Sequence, residues 1–135
     1  VRSPRQMVDY ALQRRSLLAD VHAGRVGVAQ VCDANPYLLR AARFHGKQSE
    51  TTCPVCRKEK LTEVNWVFGE GLKNLSGSAR TPDELDRMDA AFPEFTVHVV
   101  EVCRTCHWNH LVQSYALGAP EAPERPRARR RTAGQ

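Results

Sequence analysis

The sequence predicts an α+β fold, with an N-terminal helical segment followed by a four-cysteine ribbon that holds a small antiparallel sheet and one inserted helix. Three observations predict it. Two Cys-x-x-Cys units, Cys53-Pro54-Val55-Cys56 and Cys103-Arg104-Thr105-Cys106, are separated by 46 residues. The stretches beside them are rich in Val, Trp and Phe and alternate at the period of a strand. Residues 4–46 instead carry apolar positions at helical spacing, between helix start and stop signals.

Taken in order, Ser3-Pro4 reads as a helix start, with serine as cap and proline in the first turn. Met7, Ala11, Leu18 and Val21 would share one face of that helix, flanked by Val8, Tyr10 and Leu17, and Gly24 would end it. A short apolar segment, 27–32, follows; its Cys32 is expected to be a core residue. Asn35-Pro36 caps a third helix that runs to about His45, with Gly46 as its stop. There Tyr37, Leu38, Ala41, Ala42 and Phe44 are expected to face inward, and Arg40 and Arg43 outward. Residues 61–68 read as a strand with Thr62, Val64, Trp66 and Phe68 on one side, and residues 95–102 and 110–117 as two more. Between the first two strands, Ser76-Gly77-Ser78 marks a loop, and Thr81-Pro82-Asp83-Glu84 is a capping box that opens a short acidic helix. From Ala119 onward no apolar pattern survives and disorder is expected. The organisation predicted is thus a basic helical segment (1–47), a ribbon with a helical insertion (48–118) and a basic tail (119–135).

Composition narrows the setting. A chain of 135 residues is one domain, or a small domain with appended elements. No run of about 18 apolar residues is present, so no membrane-spanning helix is expected. The N-terminus lacks an apolar signal core, which points to the cytoplasm, where thiols stay reduced and Cys-x-x-Cys pairs serve as metal ligands rather than disulfides. The net charge of +5 is unevenly spread. Residues 1–47 hold eight Lys/Arg against three Asp/Glu, 48–118 hold seven against ten, and 119–135 hold five against two. The ribbon is therefore mildly acidic, and basic charge sits at the two ends.

Structural zinc takes four soft or borderline ligands in a tetrahedron, and two Cys-x-x-Cys turns, each beside a strand, supply them. Cys53, Cys56, Cys103 and Cys106 are accordingly the predicted ligands of one structural Zn²⁺. His107 and His110 lie beside the second unit, but four thiolates already complete the shell. A catalytic zinc needs an open position and a nearby base. With neither evident, and with no phosphate loop or nucleophile–base motif, the sequence predicts a binding module rather than an enzyme.

Residues 28–40, Val-Ala-Gln-Val-Cys-Asp-Ala-Asn-Pro-Tyr-Leu-Leu-Arg, resemble the helix-turn-helix of the mercury-resistance regulator family. There a Val-Ala pair opens the first helix and Asn/Ser-Pro starts the recognition helix. Asp33 replaces the usual glycine, and the wing that follows in those regulators is absent. The resemblance implies that Arg40 and Arg43 face phosphates or a groove. The four-cysteine ribbon together with the +5 balance of residues 1–47 predicts a module that contacts nucleic acid, RNA polymerase or the ribosome, with Arg14, Arg15, Arg40, Arg43 and Lys47 as candidate contacts; a zinc-stabilised protein adaptor is the alternative. The tail arginines Arg125, Arg127 and Arg129 to Arg131 would add non-specific attraction to polyanions.

More of the chain bears a second resemblance. Val8-Asp9-Tyr10-Ala11-Leu12, Arg14-Arg15-Ser16-Leu17-Leu18, residues 31–42, Trp66-Val67-Phe68-Gly69-Glu70, Ser76-Gly77-Ser78-Ala79-Arg80 and residues 98–106 resemble a family of small actinobacterial proteins of unknown function. It implies an intracellular actinobacterial protein and carries no activity to transfer.

Overall fold

The structure, a computed structural model, describes residues 4–120. Six antiparallel strands form one sheet: β1 (Arg5–Asp9), β2 (Lys47–Thr52), β3 (Lys60–Phe68), β4 (Ser78–Arg80), β5 (Phe95–Val102) and β6 (Asn109–Leu117). Their order is β1-β6-β5-β3-β2. β2 and β4 share the outer edge of β3, where Lys47 pairs with Glu63 near one end and Ala79 with Trp66 further along. The helices are α1 (Ala11–His22), α2 (Val28–Val31), α3 (Pro36–His45) and α4 (Pro82–Ala91), with a 3₁₀ stretch at Glu70–Leu75.

The strand parity explains the layers. Along β3 and β5, Val64, Trp66, Val100 and Val102 face one side, where Leu38, Ala41 and Ala42 of α3 cover them. The opposite side is covered in two places. Leu18 and Val21 of α1 pack with Leu61, Cys103 and Trp108 at one end. Leu85 and Met88 of α4, together with Leu72, pack on Val67, Phe95, Val97, Val99 and Leu117 at the other.

Several local expectations hold. Asn35 Oδ1 accepts a hydrogen bond from the Leu38 amide at 2.8 Å, capping α3. The capping box of α4 is closed both ways: Glu84 N donates to Thr81 Oγ1 (3.2 Å) and Thr81 N to Glu84 Oε1 (2.8 Å). Gly46 ends α3 because space leaves no alternative. A Cβ there would collide with the Thr62 side chain and the Ala42 carbonyl.

Other expectations need correction. The first helix does not start at Pro4. Arg5–Asp9 is a strand on the edge of β6, pairing Val8 with Ser114 and Asp9 with Gln113. Without it β6 would be an edge with unpaired backbone groups, and that long-range demand overrides the local helix signal. The N-cap of α1 is Tyr10, which makes no side-chain cap bond; just ahead of it Asp9 Oδ1 accepts from the Ala11 amide at 2.7 Å, and Ser3 lies outside the described residues. The 27–32 segment yields a helix of only four residues, and α3 buries its apolar face on the sheet, so no helix-turn-helix unit is shown. Tyr37 and Phe44, expected inward, are 78% and 62% exposed. The tail's first residue, Ala119, donates its N–H to the Phe92 carbonyl at 2.9 Å. The arginines of the tail lie outside the described residues.

Candidate metal centre

The four cysteines of the two Cys-x-x-Cys units come together at one end of the sheet. β2 leads into the first turn and β3 leaves it; β5 leads into the second and β6 leaves it. The turns repeat each other closely. Cys53 N donates to the Glu59 carbonyl and Cys103 N to that of Trp108, each at 2.8 Å. The Cys53 carbonyl accepts from Arg57 N (3.1 Å) and the Cys103 carbonyl from His107 N (2.9 Å). In each turn the residue after the second cysteine takes a left-handed backbone: Arg57 has φ 60° and His107 has φ 76°. Such a conformation is costly for these residue types, and here two turns of the same shape impose it.

All four sulfurs lie within 4.8 Å of one another. Cys53 Sγ is 3.7 Å from Cys106 Sγ, and Cys56 Sγ is 3.6 Å from Cys103 Sγ. A metal–sulfur bond of about 2.3 Å sets tetrahedral corners about 3.8 Å apart, so the observed edges fit one metal ion. Cys53 and Cys103 are fully buried, while Cys56 and Cys106 are half-buried.

Backbone amides point at the sulfurs. Val55 N lies 3.4 Å from Cys53 Sγ, Lys58 N 3.5 Å from Cys56 Sγ and Cys106 N 3.4 Å from Cys103 Sγ. The Lys58 amide holds the Cys56 thiol below its ordinary pKa. Burial dominates elsewhere: it raises Cys53 and Cys103 and pushes Cys106 up to about 12. A cluster of this kind can carry several thiolates only with a cation in its midst.

Side chains around the sulfurs lock the two turns to each other and to α1. Glu59, just after the first turn, accepts from Thr105 Oγ1 (2.6 Å) and Arg104 N (3.2 Å) of the second. Trp108, fully buried, donates its indole N–H to Glu101 Oε2 at 2.8 Å, and Arg14 of α1 pairs with the same oxygen at 2.6 Å. Asn109 Nδ2 donates to Asp33 Oδ1 at 3.0 Å. The sequence offered no signal for the Glu59, Glu101 and Trp108 contacts, because their partners are up to 87 positions away. Cys32, expected in the core, packs in the cluster beside the centre with its sulfur 3.7 Å from Cys106 Sγ. His107 and His110 stand outside the four-sulfur set, and His110 stacks on Trp108 with ring centroids 5.9 Å apart.

The candidate contact residues scatter. Arg14 is held in its ion pair with Glu101, and Arg15 is exposed on the same helix. Arg40 and Arg43 are exposed on α3, across the sheet from α1, and Lys47 is exposed at the start of β2. Arg40 and Arg43 lie about one helical turn apart on α3, both exposed, whereas Arg14 and Arg15 are neighbours on α1 with Arg14 tied up in its ion pair.

Fold and site together define an α+β protein built around a four-cysteine centre able to hold a metal ion. Residues 1–132 match the family of unknown function DUF5318, and the chain belongs to that family. It is 66% identical over 120 residues to proteins of Mycobacterium bovis and Mycobacterium tuberculosis described as uncharacterised, an alignment that covers 89% of this chain and 88% of each relative. No solved structure matches the chain. Among the described residues, no helix is long and apolar enough to cross a membrane.

Proposed function

We propose that the protein is a zinc-stapled, non-enzymatic cytoplasmic module that contacts single-stranded nucleic acid through the outer face of α3. The choice of zinc rests on the donor set. Four thiolates at tetrahedral spacing are the ligands of structural zinc sites, and they leave no position for substrate or water. Five free thiols suit a reducing compartment.

The observation that carries the nucleic-acid reading is the surface around α3. Tyr37, Arg40, Phe44, His45 and Trp66 line an open concavity of about 540 Å³, backed by Ala41 and Ala79, with no carboxylate in its wall. Arg43 lies over the Phe44 ring, its guanidinium carbon 5.1 Å from the centroid. Exposed aromatic rings beside arginines suit unpaired bases and their phosphates, because each base has a face to stack and each phosphate a charge to meet. Such a face fits the RNA or melted DNA of the transcription and translation machinery.

A protein adaptor would present the acids of α4, Asp83, Glu84, Asp86 and Asp89, but two of them are engaged within the fold. Asp89 is buried and accepts from the Gly118 amide at 2.7 Å, and Glu84 is occupied by the capping box and by Arg80 at 3.3 Å. Only Asp83 and Asp86 of the four acids are exposed.

Fluorescence anisotropy with labelled single-stranded RNA, single-stranded DNA and the matching duplex, across a salt series, tests the reading. Single strands are expected to bind more tightly than duplex. Tyr37→Ala or Phe44→Ala should weaken binding by about 1–3 kcal/mol per stacked base, and Arg40→Ala should flatten the salt dependence. Absence of single-strand binding at low salt overturns it, and nuclease-resistant capture of a partner protein would then favour the adaptor.

A further inference from the structure

Cys32 is the fifth thiol at the metal centre, and its position is not that of an ordinary core cysteine. Its sulfur lies 3.7 Å from Cys106 Sγ, the same distance that separates Cys106 from its fellow ligand Cys53. It nevertheless stands outside the set of four sulfurs that are all mutually close. Two hydrogen bonds hold its segment against the second turn, from Ala34 N to the His107 carbonyl (3.1 Å) and from Asn109 Nδ2 to Asp33 Oδ1 (3.0 Å). Cys32 is the C-terminal cap of the four-residue α2. Exposure also separates the sulfurs. Cys32 and Cys106 are half-buried, whereas Cys53 and Cys103 are fully buried. Cys56 is half-buried too, and its sulfur lies 3.6 Å from that of the buried Cys103.

We propose that Cys32 is a resolving thiol: a hydroperoxide oxidises Cys106, Cys32 closes a disulfide with it, and the metal is released. The inference rests on the four-cysteine metal centre but not on the nucleic-acid reading. In the first step the Cys106 sulfur attacks the peroxide O–O bond. That bond breaks, one oxygen stays on sulfur as the sulfenic acid, and the other leaves as an alkoxide or hydroxide that takes up a proton. In the second step the Cys32 sulfur attacks the Cys106 sulfur. An S–S bond forms, the S–O bond breaks, and the oxygen leaves as water carrying the Cys32 proton. The two thiols have lost two electrons and the hydroperoxide has gained them. Closing the bond brings the sulfurs from 3.7 Å to about 2.05 Å. The metal then keeps three thiolates, and a structural site with a missing corner binds far more weakly.

The test uses the full chain, reduced and zinc-loaded, titrated with hydrogen peroxide. Zinc release is followed with a chromogenic chelator, and disulfides are mapped by mass spectrometry after alkylation. The wild-type chain is expected to release zinc as a Cys32–Cys106 disulfide appears, and a dithiol reductant with added zinc should restore the starting state. Cys32→Ser, and Cys32→Ala as a second variant should serine disturb the packing, should hold the same zinc before oxidation. Both should release it several-fold more slowly and accumulate sulfinic acid on Cys106. A disulfide between two of the four ligands, with Cys32 still free to alkylate, overturns the proposal, as does unchanged release in both variants. A wild-type chain that contains no metal would refute the metal centre itself; the disulfide map would still show whether Cys32 and Cys106 pair.

Discussion

The two ends of the sheet share three strands but are held together by different chemistry. At the far end, Val67, Leu72, Leu85, Met88, Phe95, Val97, Val99 and Leu117 form a core of ordinary side-chain packing. At the cysteine end, the buried set includes two thiols, and the helix above it, α1, adds only Leu18 and Val21 as buried apolar residues. One end can be stable through apolar burial alone. The other surrounds four sulfurs placed to share one metal ion, so with the proposed zinc its stability would depend on that ion. β3, β5 and β6 run through both, which makes the difference measurable within one molecule.

Removing the metal should expose that difference most strongly. Structural zinc supplies on the order of 10 kcal/mol of apparent binding free energy. Chelation, or Cys103→Ser, is therefore expected to abolish amide-exchange protection in residues 53–61, 102–110 and α1, while residues 85–99 retain theirs. Equal loss at both ends would erase the distinction. The converse perturbation is Phe95→Ala, which removes a 2% exposed ring from the far core. It should cost about 3–5 kcal/mol in denaturant unfolding and leave zinc content unchanged.

Smaller changes sharpen the comparison. Glu101→Ala strips the buried Trp108 indole N–H and the Arg14 guanidinium of their shared partner. The unsatisfied indole alone should cost about 1–3 kcal/mol, read as faster exchange at the cysteine end. The smallest effect concerns Glu63, whose Cα neighbour across the strands is Glu101. Burial, and then the Glu101 charge, raise its carboxyl above the usual range, against a lowering by Lys47. Because its folded-state pKa lies above the unfolded one, its ionisation removes stability as pH rises from the unfolded value through the folded one. Glu63→Gln should therefore raise Tm at pH 7, and the gain should vanish at a pH below both values. A gain that persists in acid would assign the effect to packing instead.

The features legible in the sequence were those written locally. The spacing of Cys53, Cys56, Cys103 and Cys106 located the centre, and the Asn35-Pro36 and Thr81–Glu84 signals placed α3 and α4. Residues 61–68 and 95–102 read as strands because they are rich in β-branched and aromatic residues that recur at every second position. What could not be read depended on partners distant in the chain. Arg5–Asp9 is a strand only because β6 offers it an edge. Tyr37 and Phe44 carry the right residue type for an inward face, yet α3 rests on its small residues Ala41 and Ala42, which leaves both rings outside. Cys32 looked like core because 74 residues separate it from the sulfur it meets.

The metal content of the full chain, purified under reducing conditions and measured by elemental analysis alongside native mass spectrometry, tests the four-cysteine centre most directly. One zinc per chain is predicted, lost in Cys53→Ser and in Cys103→Ser and kept in Cys32→Ser. A wild-type chain that is folded at the cysteine end with no bound metal would contradict it.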